Sequence, residues 1–160
     1  MKRLLLSLLT TALLGGCVVL PGHLYPVAGP LSTQTPLPIF DITLSQPGSQ
    51  AIVATLQNGE VCQGLRTQIL QNDPSATQMS AQWDLVYGQG FFVANVLGSK
   101  SLYHADLTGK SGTTLSVEFD LHTTPNTSSA KGIAQDNHGN VYKLTSGLPT
   151  PSVAAAAPAK

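Results

Sequence analysis

The sequence predicts a mainly β protein: one small antiparallel β domain of about eight strands, a barrel-like or strongly curved sheet, with a single helix inserted near residues 74–87. Three observations carry that expectation. Short runs rich in β-branched and aromatic residues recur between Gly, Asn and Pro turn signals. The run Thr113 to Leu121 alternates strictly, with Leu115, Val117, Phe119 and Leu121 on one face and Thr114, Ser116, Glu118 and Asp120 on the other. That pattern marks a strand with one buried side. The third observation is an isolated helix signature, Asp73 as N-cap, Pro74 at the first helical position, Met79, Trp83, Val86 and Tyr87 at helical spacing, and Gly88 as the stop.

In chain order, Ile39 to Leu44 is the first expected strand, closed by the turn residues Gln46-Pro47-Gly48-Ser49. Gln50 to Leu56 and Glu60 to Leu65 flank Asn58-Gly59, a favoured pair for a two-residue hairpin loop. That loop would set Leu56 against Val61 and Ile52 against Leu65, placing Ile52, Ala54, Leu56, Val61 and Leu65 on the core face. Cys62 would lie on the opposite face across from Thr55, and these two make a candidate interaction face. Phe91 to Leu97, Ser101 to Leu107 and Thr113 to Leu121 follow as strands, His122 to Ser129 as a polar loop, and Gly132 to Leu144 as a closing hairpin. Residues 39–145 therefore form the domain. Residues 17–38, with five prolines, read as an extended tether reaching up to roughly 60 Å, and 146–160 as a flexible Pro/Ala tail.

The amino terminus has its own logic. Lys2 and Arg3 precede an uncharged apolar run from Leu4 to Leu14, and Leu14-Gly15-Gly16-Cys17 follows. The order is that of a secretory signal, and the run is shorter than the roughly 20 residues that span a bilayer. The site resembles the lipobox of bacterial lipoprotein precursors. The resemblance implies removal of residues 1–16 by signal peptidase II and acylation of Cys17, giving a membrane partner through the lipid anchor. Val18 in place of Asp implies, by the sorting rule of enterobacterial lipoproteins, an outer-membrane location facing the periplasm of a Gram-negative bacterium. Two or more acyl chains hold such an anchor firmly.

Composition narrows the function. Without Lys2 and Arg3 the chain carries six basic against eight acidic residues, a formal charge of −2. No basic stripe is left to neutralise phosphates, so nucleic acid is not an expected partner. With Cys17 acylated, Cys62 has no intramolecular partner, and a buried, inert thiol is the expectation.

Apparent catalytic motifs fail on context. Thr108-Gly109-Lys110-Ser111-Gly112 has His104 where a phosphate-binding loop needs Gly, and a strand rather than a helix follows. Ser128-Ser129-Ala130-Lys131 matches S-x-x-K without the companion motifs. Gly132 to Leu144 resembles one unit of bacterial β-propeller repeats, but over thirteen residues and only once, so it implies shared turn chemistry. Asp136 and Asn140 offer too few oxygens for Ca²⁺.

No metal or cofactor is expected, and no enzyme. The expected role is a lipid-anchored envelope lipoprotein acting as a binding or assembly module, with an envelope protein as partner, reached at an open sheet edge or through the Cys62 face. A first alternative is a periplasmic inhibitor or small-ligand carrier, similar to the β-barrel lipoproteins that block lysozyme. An envelope hydrolase would need His104, Asp106 and a Ser or Cys62 in one cleft.

Overall fold

The computed structural model describes residues 19–45, 49–124 and 127–146, so the lipobox and the tail beyond residue 146 lie outside it. Eight antiparallel strands close into a barrel in sequence order: β1 Val19–Ala28, β2 Phe40–Ser45, β3 Ala51–Thr55, β4 Val61–Gln68, β5 Leu102–Gly109, β6 Thr114–Thr123, β7 Ser128–Asp136 and β8 Val141–Ser146. Each strand pairs with the next, and β8 returns to β1. Alternate residues of every strand fill the interior, among them Leu24, Ile42, Leu44, Ile52, Ala54, Leu107, Phe119 and Leu144. An eight-stranded barrel is just wide enough for side chains to fill.

The first strand corrects the reading of residues 17–38 as a tether. β1 pairs with β2 from Val19↔Ser45 to Leu24↔Phe40 and with β8 from Gly22↔Ser146 to Ala28↔Val141. Leu20 and Leu24 face inward and are buried. The prolines that suggested an extended leash sit where a missing N–H is tolerated. Pro21 precedes the first β8 pair, and Pro26 follows the last β2 pair, beside a register shift.

The β3–β4 hairpin is also corrected, by one residue. Leu56 N–H donates to the Glu60 carbonyl and Gly59 N–H to the Leu56 carbonyl, both at 2.9 Å, so the loop has three residues, Gln57 to Gly59. Gly59 alone takes the left-handed conformation, at φ 79°, whereas a two-residue type I′ loop would need Asn58 there too. The added residue flips every β4 side chain. Thr55 pairs with Val61 and Ala54 with Cys62. Val61 and Leu65 are exposed, and Cys62 is buried in the core.

Between β4 and β5 lies the helical insert. Pro74–Thr77 forms a 3-10 turn capped by Asp73, whose carboxylate accepts the Ser75 N–H at 2.9 Å; α1 then runs Ser80–Tyr87 and Gly88 ends it at φ 107°. The expected strand at Phe91 to Leu97 is instead a second short helix, α2 Phe91–Asn95. The cause is Asp84: its two carboxylate oxygens accept the N–H groups of Gly90 and Phe92, each at 2.9 Å, and cap the new helix from the preceding one. The insert lies on the outside of the barrel, where Met79, Trp83, Phe92 and Val96 pack with Leu102 of β5 and Ile133 of β7.

Candidate functional site

The two ends of the barrel differ. β1 begins at the near end, where the insert enters and leaves. The far end carries the connections β1–β2, β3–β4, β5–β6 and β7–β8, and a cavity of about 550 Å³ opens among them, lined by Leu31, Phe40, Leu56, Thr113, His138 and Tyr142 with their neighbours. Phe40 and Tyr142 form its floor, edge to face at 5.6 Å, and both are buried.

Three of the four connections share one construction. Residues 57–59, 110–112 and 137–139 are three-residue loops ending in a left-handed Gly, at Gly59, Gly112 and Gly139. Side chains lace them together. Glu60 accepts from the Ser111 N–H and the Thr113 hydroxyl, each at 2.7 Å, and the Thr113 bond foremost holds its carboxyl below the usual range. Asn137 accepts the Thr114 N–H at 3.2 Å and donates to the Gly112 carbonyl at 3.1 Å. Asn140 accepts the Leu31 N–H at 2.9 Å, which pins the 3-10 turn Pro30–Thr33 over the mouth.

Asp136 is the polar centre of this rim. Its Oδ1 accepts the N–H groups of His138 and Asn140 at 2.9 Å, and its Oδ2 accepts the Asn140 amide at 2.8 Å and the Tyr142 hydroxyl at 2.6 Å. Burial pushes this carboxyl up, but the four donors outweigh it and hold the group ionised below its ordinary value. Burial and the Asp136 carboxylate push the Tyr142 phenol far upward. With both oxygens spent on donors, Asp136 presents a finished hydrogen-bond network to the cavity, not an open ligand set.

A second cleft, about 650 Å³, runs along the outer wall between the insert and strands β7 and β8. Trp83, Tyr87 and Phe91 stack along it, Tyr87 and Phe91 at 4.7 Å between centroids. Lys131 and Lys143 lie over these rings, with Lys143 Nζ 5.1 Å from the Tyr87 centroid. The Tyr87 hydroxyl is shared between the carbonyls of Gly132 and Leu144 at 3.1 and 3.3 Å, and burial pushes it up to about 12. Lysine stems laid across aromatic faces close the wall as much as they open a site.

Compared with known proteins, the chain matches no family model, no curated protein and no solved structure. Its geometry therefore has to carry the functional reading.

Cys17 lies outside the described residues. Cys62 is inside the barrel, where burial and then the charge of Glu60 push its thiol up, so the Cys62–Thr55 face does not exist. Closure of the barrel likewise leaves no open sheet edge among the described strands. His104 and Asp106 do meet on the outer face of β5, at 3.2 Å. Ser116 Oγ donates to the same Asp106 oxygen at 2.6 Å. The carboxylate thus stands between serine and imidazole, while a hydrolytic triad needs the imidazole on the hydroxyl. Cys62 faces the other side of the wall. Asp136 and Asn140 are joined, as parts of the rim rather than as cation ligands. The rim itself escaped sequence reasoning, although the repeated Gly-terminated turns were a usable signal.

Proposed function

We propose that the protein is a lipid-anchored lipoprotein of the bacterial cell envelope, a non-enzymatic binding module that receives an apolar side chain of a partner protein at the far mouth of its barrel. The observation that carries this reading is the mouth: an apolar cavity of about 550 Å³ over Phe40 and Tyr142, framed by three loops of one construction and a saturated polar network. Concave, mostly apolar openings at barrel mouths are favoured binding sites. Leu37, Ile39 and Val61 are exposed at the same end, an apolar border suited to a protein surface.

The anchor reading supplies orientation. Cys17 stands two positions before Val19, the first residue of β1. An acylated Cys17 would seat the near end against the membrane and turn the mouth toward the periplasm. No long leash intervenes, so the partner would be met within about a barrel length of the bilayer.

The test is a photo-crosslinking amino acid at Ile39, beside the mouth, compared with the same probe at Leu65, on the near half, in intact cells. A discrete envelope adduct from Ile39 alone is expected. No adduct from Ile39, or equal adducts from both positions, would sink the proposal. The enclosed apolar floor also favours a second reading, a small apolar ligand. Saturable binding of a fluorescent naphthalene sulfonate, abolished by Leu56→Arg, would select it.

A further inference from the structure

Arg66 is the one inward-facing cation of the described barrel. It lies on β4 opposite Ala105, a core residue of β5, and is only 6% exposed. Its guanidinium carbon sits 4.8 Å from the centroid of the Tyr103 ring, which in turn stacks on Phe119 at 5.6 Å. Nη1 is fully enclosed and has no hydrogen-bond partner among the described residues. Guanidinium is a planar cation with five N–H donors and no acceptor, so it calls for oxygen partners.

The sequence closes the question of an internal counter-charge. The chain has eight Asp and Glu, and all eight are described. Each is committed elsewhere: Asp41 to His23, Asp73 to Ser75, Asp84 to the start of α2, Asp120 to Ser99, Glu118 to Trp83, and Asp106, Glu60 and Asp136 to the partners given above. No side-chain carboxylate of this protein neutralises Arg66. A ring face compensates a buried cation only in part, and an enclosed charge without a hydrogen-bonded partner is strongly disfavoured.

We propose that Arg66 is the anchor of an oxyanion site at the near end of the barrel, taking a carboxylate or phosphate group that pairs with the guanidinium fork above Tyr103. Arg presents parallel donors that match such groups two at a time. The site is on the opposite end from the mouth and does not depend on it. Two sources offer this chemistry: a soluble anion, or the phosphate of a lipid head group if the near end rests on a bilayer.

The experiment follows the guanidinium resonances of the chain from Cys17 onward by nitrogen-15 NMR, with thermal melting in parallel. Inorganic phosphate, acetate and phosphatidylglycerol vesicles are compared with chloride at equal ionic strength. The expected result is a saturable shift of the Arg66 signal and a rise in Tm that is lost in Arg66→Met. Methionine is a fair control because an apolar replacement of a buried ion is usually tolerated. Saturation by phosphate or acetate would assign a soluble anion, and saturation by vesicles alone a lipid head group. An unmoved Arg66 signal in all three, or an equal Tm rise in wild type and Arg66→Met, would overturn the proposal.

Discussion

The indole N–H of Trp83 donates to Glu118 Oε1 at 2.5 Å, tying the helical insert to the barrel wall through a carboxyl that is wholly enclosed. The other oxygen of Glu118 has no partner among the described residues. Burial pushes the carboxyl up, against the Trp83 bond and the charge of His104 on the facing strand.

A raised acid stabilises the fold below its unfolded value and loses that contribution as pH rises through its folded value. Stability should therefore be lower at pH 8 than at pH 5. Glu118→Gln keeps an acceptor for Trp83 and removes the titration. Urea melts at both pH values should show a flatter dependence for the variant; parallel curves would refute the assignment.

At the mouth the sign reverses. Asp136 is held below its ordinary value, so its contribution is present at neutral pH and lost as pH falls through the folded value. Tyr142→Phe removes one of its four donors and should cost about 1.5–3 kcal/mol at neutral pH, as for other bonds to a charged group. The same variant should lose less stability on acidification than wild type.

Cys62 should be silent in the folded protein. Maleimide labelling should proceed only at urea concentrations that unfold the barrel, since the thiol is enclosed and its ionisation opposed. Rapid labelling of the native protein would place Cys62 outside the core.

Leu24 separates a strand from a tether directly. It is fully buried between β2 and β8. Leu24→Ala should cost about 2–5 kcal/mol by chemical denaturation, the usual range for a core leucine. A leash residue would cost nothing measurable.

What the sequence revealed and what it hid follow from local chemistry. The strict alternation of Thr113 to Leu121 and the Asp73–Gly88 helix signals are short-range, and the structure reproduces both. The errors came where a distant contact overrides propensity. Pro21 and Pro26 masked the inward Leu20 and Leu24, because only the staggered ends of β2 and β8 make those prolines harmless. Phe91-Phe92-Val93 looks β-forming until Asp84 caps it as a helix. One strand was missed and one invented, so the expected number survived by exchange. Asn58-Gly59 announced a turn but not its length, and the one-residue difference moved Cys62 from the outside to the core. Arg66 read as an ordinary polar position on a strand, since nothing local tells which way it points.

The pairing of β1 with β8 has a consequence for synthesis. The ring is sealed by the first and last described strands, so a chain that lacks either cannot complete it. Loss of either strand bares two seams together, each able to recruit a neighbouring molecule. During synthesis the amino-terminal strand must wait, unpaired on one side, until β8 has emerged.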